Sequence, residues 1–272
     1  MRVLCRAIGV SPSGYYAWRG RSESSRALRD RQLTARIVAI HLRSRRTYGA
    51  PRIHAELHDL GISSSRKRVA RLMRSAGVRG LHHPRRRRPR PDPRAGIVPD
   101  LVERRFRPAD PDRIWAADIT DVPTAQGSLH LAVVMDLYSR MIVGWAMASH
   151  LRADLVIDAL EMATARRRPG PGLVHHSDRG PQYTSMVFGQ ALGRAGILPS
   201  VGRVGSPADN AVVESFFDTM KLETLTDRSY PSLEAAKARL FEWIEVFYNR
   251  QRRHTTLGGS PLQFERRGSV KV

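Results

Sequence analysis

The sequence predicts an α/β fold for its second part, with a mixed five-stranded sheet in the order βββαβαβα, preceded by a small all-helical domain. Two observations support this prediction. Beyond residue 113, three apolar runs of strand-like composition follow one another, and from residue 153 helical patterns alternate with short apolar runs. Before residue 82, apolar residues recur at three- and four-residue spacing, which is typical of helices.

Charge divides the 272-residue chain in the same way. The formal net charge is +21, and 41% of the residues are hydrophobic, which is enough for a core. Residues 1–107 hold 27 of the 46 Lys and Arg residues but only seven of the 25 Asp and Glu residues, whereas the remainder is nearly balanced. Such an arginine-rich region indicates a polyanionic partner, and we expect nucleic acid.

Residues 1–21 combine a short apolar run with the aromatic residues Tyr15, Tyr16 and Trp18. They are too few for a domain, and one interpretation is that they continue a segment fused upstream. Cys5 is the single cysteine, which excludes internal disulfides and a cysteine-based zinc site. No apolar run approaches the roughly 18 residues of a membrane span, and a signal peptide is not indicated. We therefore expect a soluble cytoplasmic protein that is associated with the nucleoid when bound to DNA.

Residues 22–81 are predicted to form a helical domain of the helix-turn-helix kind, with helices over residues 30–45, 51–60 and from about Ser63. The third helix carries Lys67, Arg71 and Arg74 at spacings that place them on one side, opposite an apolar side. This basic surface suits a DNA major groove or a row of phosphates. The alternative is a small bundle with a solvated basic surface, but the local charge favours DNA contact.

Residues 82–107 are predicted to be an extended basic linker. Prolines interrupt an arginine run that includes Arg85, Arg86, Arg87 and Arg88, and the segment has almost nothing to bury. We expect it to neutralise several phosphates without sequence preference, so that DNA affinity depends strongly on salt.

Residues 108–267 are predicted to form the α/β domain, and residues 268–272 a tail. The last long helix, 232–250, is amphipathic and ends in a basic segment, 249–254, that either follows DNA or solvates the helix end. The other predicted elements are strands over residues 114–122, 129–136, 141–147, 173–178 and 198–201, and helices over 153–167, 184–195 and from about 209.

Three acidic residues occupy informative places in this domain: Asp118 within the first strand, Asp178 at the end of the fourth, and Glu214 on the helix after the fifth. If the fourth strand pairs with the first, Asp118 and Asp178 come together, and the helix can bring Glu214 over them. Carboxylates in one pocket repel each other unless a cation is bound, and their oxygens suit Mg²⁺ or Mn²⁺. Two such ions support phosphodiester cleavage and strand transfer. Each acid taken alone has an equally good structural interpretation as a turn or edge residue.

Spacing favours the catalytic interpretation, since 35 residues separate Asp178 from Glu214, and Lys221 follows on the same helix edge. With these residues the chain resembles the DDE transposases of bacterial insertion sequences, in particular the second-frame proteins related to retroviral integrases. The matching stretches cover nearly the whole chain and are YGAPRI (48–53), RVARLM (68–73), WAADIT (115–120), VMDLYSRMIVGW (134–145), HSDRGPQYTS (176–185), DNAVVESFFDTMKLE (209–223) and YNRQRRHTTLGGSP (248–261).

The resemblance implies a ribonuclease-H-like catalytic core in which Asp118, Asp178 and Glu214 bind two Mg²⁺ or Mn²⁺ ions. It implies that Lys221 contacts the DNA end, and Arg203, Arg252 and Arg253 are further candidate DNA contacts. The implied partners are transposon terminal inverted repeats, target DNA, other copies of the chain, and a first-frame protein as partner or N-terminal fusion. The stretches around residues 203–205 and 255–259 depart from the family pattern but include none of the four chemical residues.

The function expected is cleavage at transposon ends followed by joining of the 3′-hydroxyl to DNA. A nuclease that only hydrolyses and a non-catalytic DNA-binding regulator remain alternatives. Nearby polar residues also have two interpretations: His176 is a metal ligand or a structural residue, and Gln182 and Tyr183 contact DNA or pack. Asp121 is offset from Asp118 by three residues, so we expect it on the other face of the strand.

Overall fold

The computed structural model describes residues 1–82, 108–202, 210–225 and 229–269. Two compact units divide the chain, Met1–Leu81 and His82–Val272. No helix within the described residues is long and apolar enough to cross a membrane.

The first unit is helical. Serine side chains begin three of its helices, because Ser11, Ser24 and Ser65 each accept a hydrogen bond from a main-chain N–H three residues later. Ser24 thus starts the long helix before the predicted residue 30, and Ser65 starts the last helix after the predicted Ser63. The helices are α1 (Arg2–Ala7), α2 (Pro12–Arg19), α3 (Ser25–Arg43), α4 (Ala50–Asp59) and α5 (Arg66–Ser75).

A single apolar cluster holds α3, α4 and α5 together. Its members come from one side of each helix, so the basic residues between them are left on the outside. The fully buried members are Ile37, Ile53, Leu57 and Val69.

The second unit contains a five-stranded sheet in the order β3-β2-β1-β4-β5, and the predicted βββαβαβα arrangement is confirmed. The first three strands are antiparallel, whereas β4 and β5 run parallel to β1. The elements are β1 (Ile114–Thr124), β2 (Gly127–Asp136), β3 (Ile142–Ala148), α6 (Ala153–Arg167), β4 (Val174–Ser177), α7 (Met186–Arg194), β5 (Leu198–Val201), α8 (Ala211–Thr224), α9 (Leu233–Glu242) and α10 (Pro261–Ser269).

Alternate strand residues pack on the two faces of this sheet. One face lies against α8 and α9, and the other lies against α6 and α7. Gly144 of β3 permits the close approach of α6, because a Cβ atom at this position would overlap the main-chain oxygen of Ala159. The sheet therefore carries two buried cores, with β1 at its centre.

The single helix predicted over residues 232–250 is instead α9 followed by a π-helical segment, Trp243–Tyr248. All four residues Trp243, Ile244, Phe247 and Tyr248 are buried in this segment. Asn249 then fixes the end of the helix to β3, since its Oδ1 accepts from Ile142 N at 3.0 Å and its Nδ2 donates to Ile142 O at 3.0 Å. The helix end is thus anchored to the sheet.

Candidate active site

Asp118 lies within β1, and Asp178 directly follows the end of the neighbouring parallel strand β4. The pairing of β1 with β4 joins Ala116 to His176, and each acid follows its member of this pair by two residues. From the sequence, the two acids were expected to come together if the fourth strand pairs with the first. The structure contains this pairing. Asp121 lies on the opposite face of β1 and bonds His130 across the strand pair, with Oδ1 2.6 Å from Nδ1.

Asp118 is partly buried, and its electrostatic surroundings identify its neighbours. Burial raises its pKa to about 7, and the negative charges of Asp178 and Glu214 add to this rise. A hydrogen bond of 2.8 Å from Ile119 N to Oδ1 and the positive charge of Lys221 act in the opposite direction. Four of the residues singled out in the sequence therefore interact at one place.

Asn210 joins the helix that carries Glu214 to the strand that carries Asp118. It is buried at the start of α8, where its main-chain oxygen accepts hydrogen bonds from Val213 N and Glu214 N. Its side chain does not cap the helix, because Nδ2 instead donates to Ala117 O at 3.2 Å. The first turn of α8 is thereby held beside β1.

The outer edge of α8 carries three charged residues, Glu214, Asp218 and Lys221. Partial burial is the largest cause that raises the pKa of Glu214. The negative charges of Asp218 and Asp178 raise it further. Lys221 is half-buried and interacts with Asp118. Asp218, an exposed residue to which the sequence assigned no role, therefore acts on Glu214 through its charge.

Tyr183, for which the sequence left DNA contact and packing open, is a packed neighbour of the acids. It is buried against Phe188 and His175, and its hydroxyl has no hydrogen-bond partner among the described residues. Burial raises its pKa well above the usual value, and the charges of Asp118 and Asp178 contribute. The signal in the sequence for this proximity is that Tyr183 follows Asp178 by only five residues.

Histidines beside the acids have structural surroundings. The Nδ1 atom of His176 lies 2.9 Å from Ser200 Oγ within the buried sheet. Burial lowers the pKa of His175 to about 3, so this imidazole is neutral at ordinary pH. Within residues 1–82, 108–202, 210–225 and 229–269, no three His, Cys, Asp or Glu side chains are already close enough to form a metal site.

The candidate DNA contacts of the first unit lie on its outside. Lys67, Arg71 and Arg74 are exposed on α5. Arg71 also bonds Asp30, with Nη2 2.7 Å from Oδ2. Arg85, Arg86, Arg87, Arg88 and Arg203 lie outside the described residues.

The prediction that Arg252 and Arg253 contact DNA does not fit the structure. Both are buried, and Arg252 forms an ion pair with Glu223 of α8 in which Nη2 lies 2.8 Å from Oε1. Arg253 donates from Nη1 to Gly258 O at 2.8 Å. These two guanidinium groups hold the fold together because they bond protein acceptors away from solvent, whereas Arg250 of the same segment is exposed.

Family models match three parts of the chain. An integrase core domain matches residues 108–207, a second integrase core domain model matches residues 195–261, and an HTH-like domain matches residues 27–88. These assignments cover both units.

Curated relatives match over most of the chain. Transposase InsF for insertion sequence IS3A of Escherichia coli K12 is 38% identical over 271 residues, which cover 97% of this chain and 93% of that protein. An uncharacterized 31 kDa protein of insertion element IS600 from Shigella sonnei is 38% identical, with 96% and 97% covered. The transposase for insertion sequence element IS904 of Lactococcus lactis is 37% identical, with 87% and 94% covered.

Matches among solved structures are more distant. A simian T-cell lymphotropic virus intasome in complex with a PP2A regulatory subunit matches with a TM-score of 0.48 and 18% identity, covering 84% of this chain and 74% of that chain. The HTLV-2 integrase catalytic core domain in complex with magnesium matches with a TM-score of 0.46 and 19% identity, covering 58% and 99%.

Proposed function

Because the chain belongs to the family of insertion-sequence transposases with an integrase core domain, we propose that it cuts DNA at transposon ends and joins the freed 3′-hydroxyl to another DNA strand. The convergence of Asp118, Asp178 and Glu214 carries this proposal. Asp118 lies in β1, Asp178 directly after β4 and Glu214 in α8, and the charges of Asp178 and Glu214 both act on Asp118. Three acids brought together from separate elements suit a site for phosphodiester chemistry.

We assign Asp118, Asp178 and Glu214 as the residues that would hold two Mg²⁺ or Mn²⁺ ions. The donor set fits, because carboxylate oxygens are the ligands that these hard cations prefer. A bound cation would also offset the burial of Asp118, which is the main cause of its raised pKa, and the repulsion from Asp178 and Glu214. When bound, such ions activate the attacking oxygen and stabilise the leaving oxygen of the phosphodiester.

Lys221 is proposed to position the DNA end. It lies on the same edge of α8 as Glu214, two turns further along, and its charge reaches Asp118. An ammonium group binds a phosphate oxygen as a point charge, so it can hold a scissile strand next to the carboxylates. Asn210 keeps this helix against β1 and so fixes the relative position of Glu214 and Asp118.

The DNA partners proposed are the terminal inverted repeats of the transposon and the target. Lys67, Arg71 and Arg74 of the first unit are proposed contacts, and the linker arginines and Arg203 stay predictions. Joining two ends needs more than one active site, so we propose assembly of several copies on DNA. A first-frame protein, as partner or as N-terminal fusion, belongs to the same proposal.

The function is tested by incubating the purified chain and Mg²⁺ or Mn²⁺ with a labelled duplex that ends in the terminal repeat, then separating cut from joined products. Asp118→Asn and Glu214→Gln are each expected to lower joining at least about a hundredfold, because several kcal/mol of transition-state stabilisation are lost. Glu161→Gln removes an exposed acid of α6 that has no role in the site, so this control is expected to join DNA like the parent protein.

Three results would overturn the proposal. If Glu214→Gln still joined DNA, the assignment of the three carboxylates as the catalytic site would be wrong. Cut products without joined products would indicate a nuclease that only hydrolyses. DNA binding without either product would favour a regulator. Binding to the duplex is measured on the same samples, so that loss of chemistry is separated from loss of DNA affinity.

A further inference from the structure

A cationic cleft lies in the first unit between the N-terminal parts of α3 and α5. Its volume is about 520 Å³, and its lining residues are Arg26, Arg29, Ser65, Lys67, Arg68 and Arg71. We propose that this cleft binds phosphates of the DNA backbone and that Arg26 and Arg29 of α3 are DNA contacts. The inference rests on the DNA-binding function proposed above and moves the contact surface from α5 alone to a cleft shared with α3.

Asp30 organises the inner wall of the cleft. Its Oδ1 accepts from Arg68 Nε at 2.8 Å, and its Oδ2 accepts from Arg71 Nη2 at 2.7 Å. These bonds, from Arg71 and then Arg68, lower the pKa of Asp30, so it is charged at neutral pH. A guanidinium has five N–H donors, and Asp30 engages only part of each set. Both groups are therefore held in place with donors left for a ligand.

The chemistry of the lining favours phosphate. Its side chains are five cations and one hydroxyl, which are groups that contact the DNA backbone. Bidentate adenine recognition uses Asn or Gln, and neither lines this cavity. The lining therefore suits phosphate contacts, and because arginine can also bind guanine, comparison with an unrelated duplex distinguishes the two modes.

The extent of the cationic surface favours a strand of linked phosphates over a single small anion. A second cavity, of about 670 Å³, adjoins the first because Arg29 and Arg68 line both. This second cavity adds Arg36, an exposed residue two turns along α3 from Arg29. Positive charge thus continues along α3, and a DNA backbone can follow it.

The test measures duplex binding by fluorescence anisotropy over a range of salt concentrations, with the full chain carrying Glu214→Gln so that DNA stays intact. Arg26→Ala combined with Arg29→Ala is expected to reduce the slope of log K against log salt by about 2, since each lost phosphate contact removes about 0.9. The affinity should fall by the same factor for a terminal-repeat duplex and for an unrelated duplex.

The matched control removes two other arginines of α3, Arg31→Ala with Arg43→Ala. These side chains pair with Glu23 and Glu56, each at 2.9 Å, and neither lines the cleft. The control is expected to retain the parent slope, and circular dichroism checks that both variants are equally helical.

An unchanged slope in the cleft variant would overturn the proposal. An equal reduction in the control would also overturn it, because bulk charge would then explain the effect. Competition by polyglutamate as strong as that by duplex DNA would assign the cleft to an acidic protein instead. These binding measurements do not depend on catalysis. If the protein did not join DNA, the cleft proposal could still be correct. If the cleft variant bound DNA like its parent, the joining function could still be correct.

Discussion

Arg252 in the second unit and Arg71 in the first bond a carboxylate at nearly the same distance but in different surroundings. The Nη2 atom of Arg252 lies 2.8 Å from Glu223 Oε1, and that of Arg71 lies 2.7 Å from Asp30 Oδ2. The Arg252 side chain is 5% exposed, whereas that of Arg71 is 49% exposed. Burial decides what an ion pair does, because water replaces a lost partner at the surface but not in the interior. Arg252 therefore serves the fold, and Arg71 is available to a ligand.

The largest effect is expected for Arg252→Ala. It leaves the Glu223 carboxylate buried without its partner, and removing one partner of a buried pair costs about 3–5 kcal/mol in the free energy of unfolding. The second unit, which contains Trp115, Trp145 and Trp243, is expected to lose this stability. Tryptophan fluorescence during urea unfolding measures this change.

A double variant separates the ion pair from simple loss of packing. Arg252→Met together with Glu223→Leu removes both charges and fills similar volume, so most of the lost stability should return. If the double variant is as unstable as Arg252→Ala, the buried pair is not the reason for the loss, and the contrast between Arg252 and Arg71 no longer holds.

The two buried asparagines of the second unit give a second contrast, of intermediate size. Asn249 satisfies both main-chain groups of Ile142, and Asn249→Ala should lower the free energy of unfolding by about 1–3 kcal/mol. Asn210 makes one side-chain bond, to Ala117 O, and Asn210→Ala should cost about 1 kcal/mol. Because it releases α8 from β1, Asn210→Ala should also raise the Mg²⁺ concentration needed for half-maximal joining.

This prediction is checked by titrating Mg²⁺ in the joining assay with both variants at a temperature where both are folded. Asn249→Ala should keep the parent Mg²⁺ requirement despite its larger loss of stability. An equal shift in both variants would mean that general loosening of the unit, and not the link between Glu214 and Asp118, sets the requirement.

Sequence patterns predicted the parts of the fold that depend on local periodicity and chain order. The alternating runs of β1 to β3 and the later helices indicated the sheet, and strand order indicated that Asp118 and Asp178 would meet. The pattern was wrong for Arg252, because a basic segment after a helix has the same appearance whether it is solvated or buried. Its partner Glu223 lies 29 residues earlier, and only the folded chain brings the two together.

Tertiary contacts also explain the other differences. Asn210 occupies the capping position at the start of α8, but its side chain bonds the neighbouring strand instead of the helix. The π-helical turn after α9 was not predicted, because the apolar residues from Leu240 to Tyr248 also fit the regular 3.6-residue period of an α-helix. Asp218 lies four residues after Glu214, so the sequence predicts that the two charges are neighbours, but this spacing alone does not assign Asp218 a role.

The smallest change in stability is expected for Arg71→Ala. Asp30 keeps its bond with Arg68, and an exposed ion pair adds little to stability, so the free energy of unfolding should change little. DNA affinity should nevertheless fall, with a reduction of about 0.9 in the salt slope, because one phosphate contact of the cleft is lost. Urea unfolding and anisotropy on the same preparation measure the two quantities. A loss of stability as large as that of Arg252→Ala, with DNA affinity unchanged, would show that Arg71 holds α3 to α5 and that its exposure does not make it a ligand-binding residue.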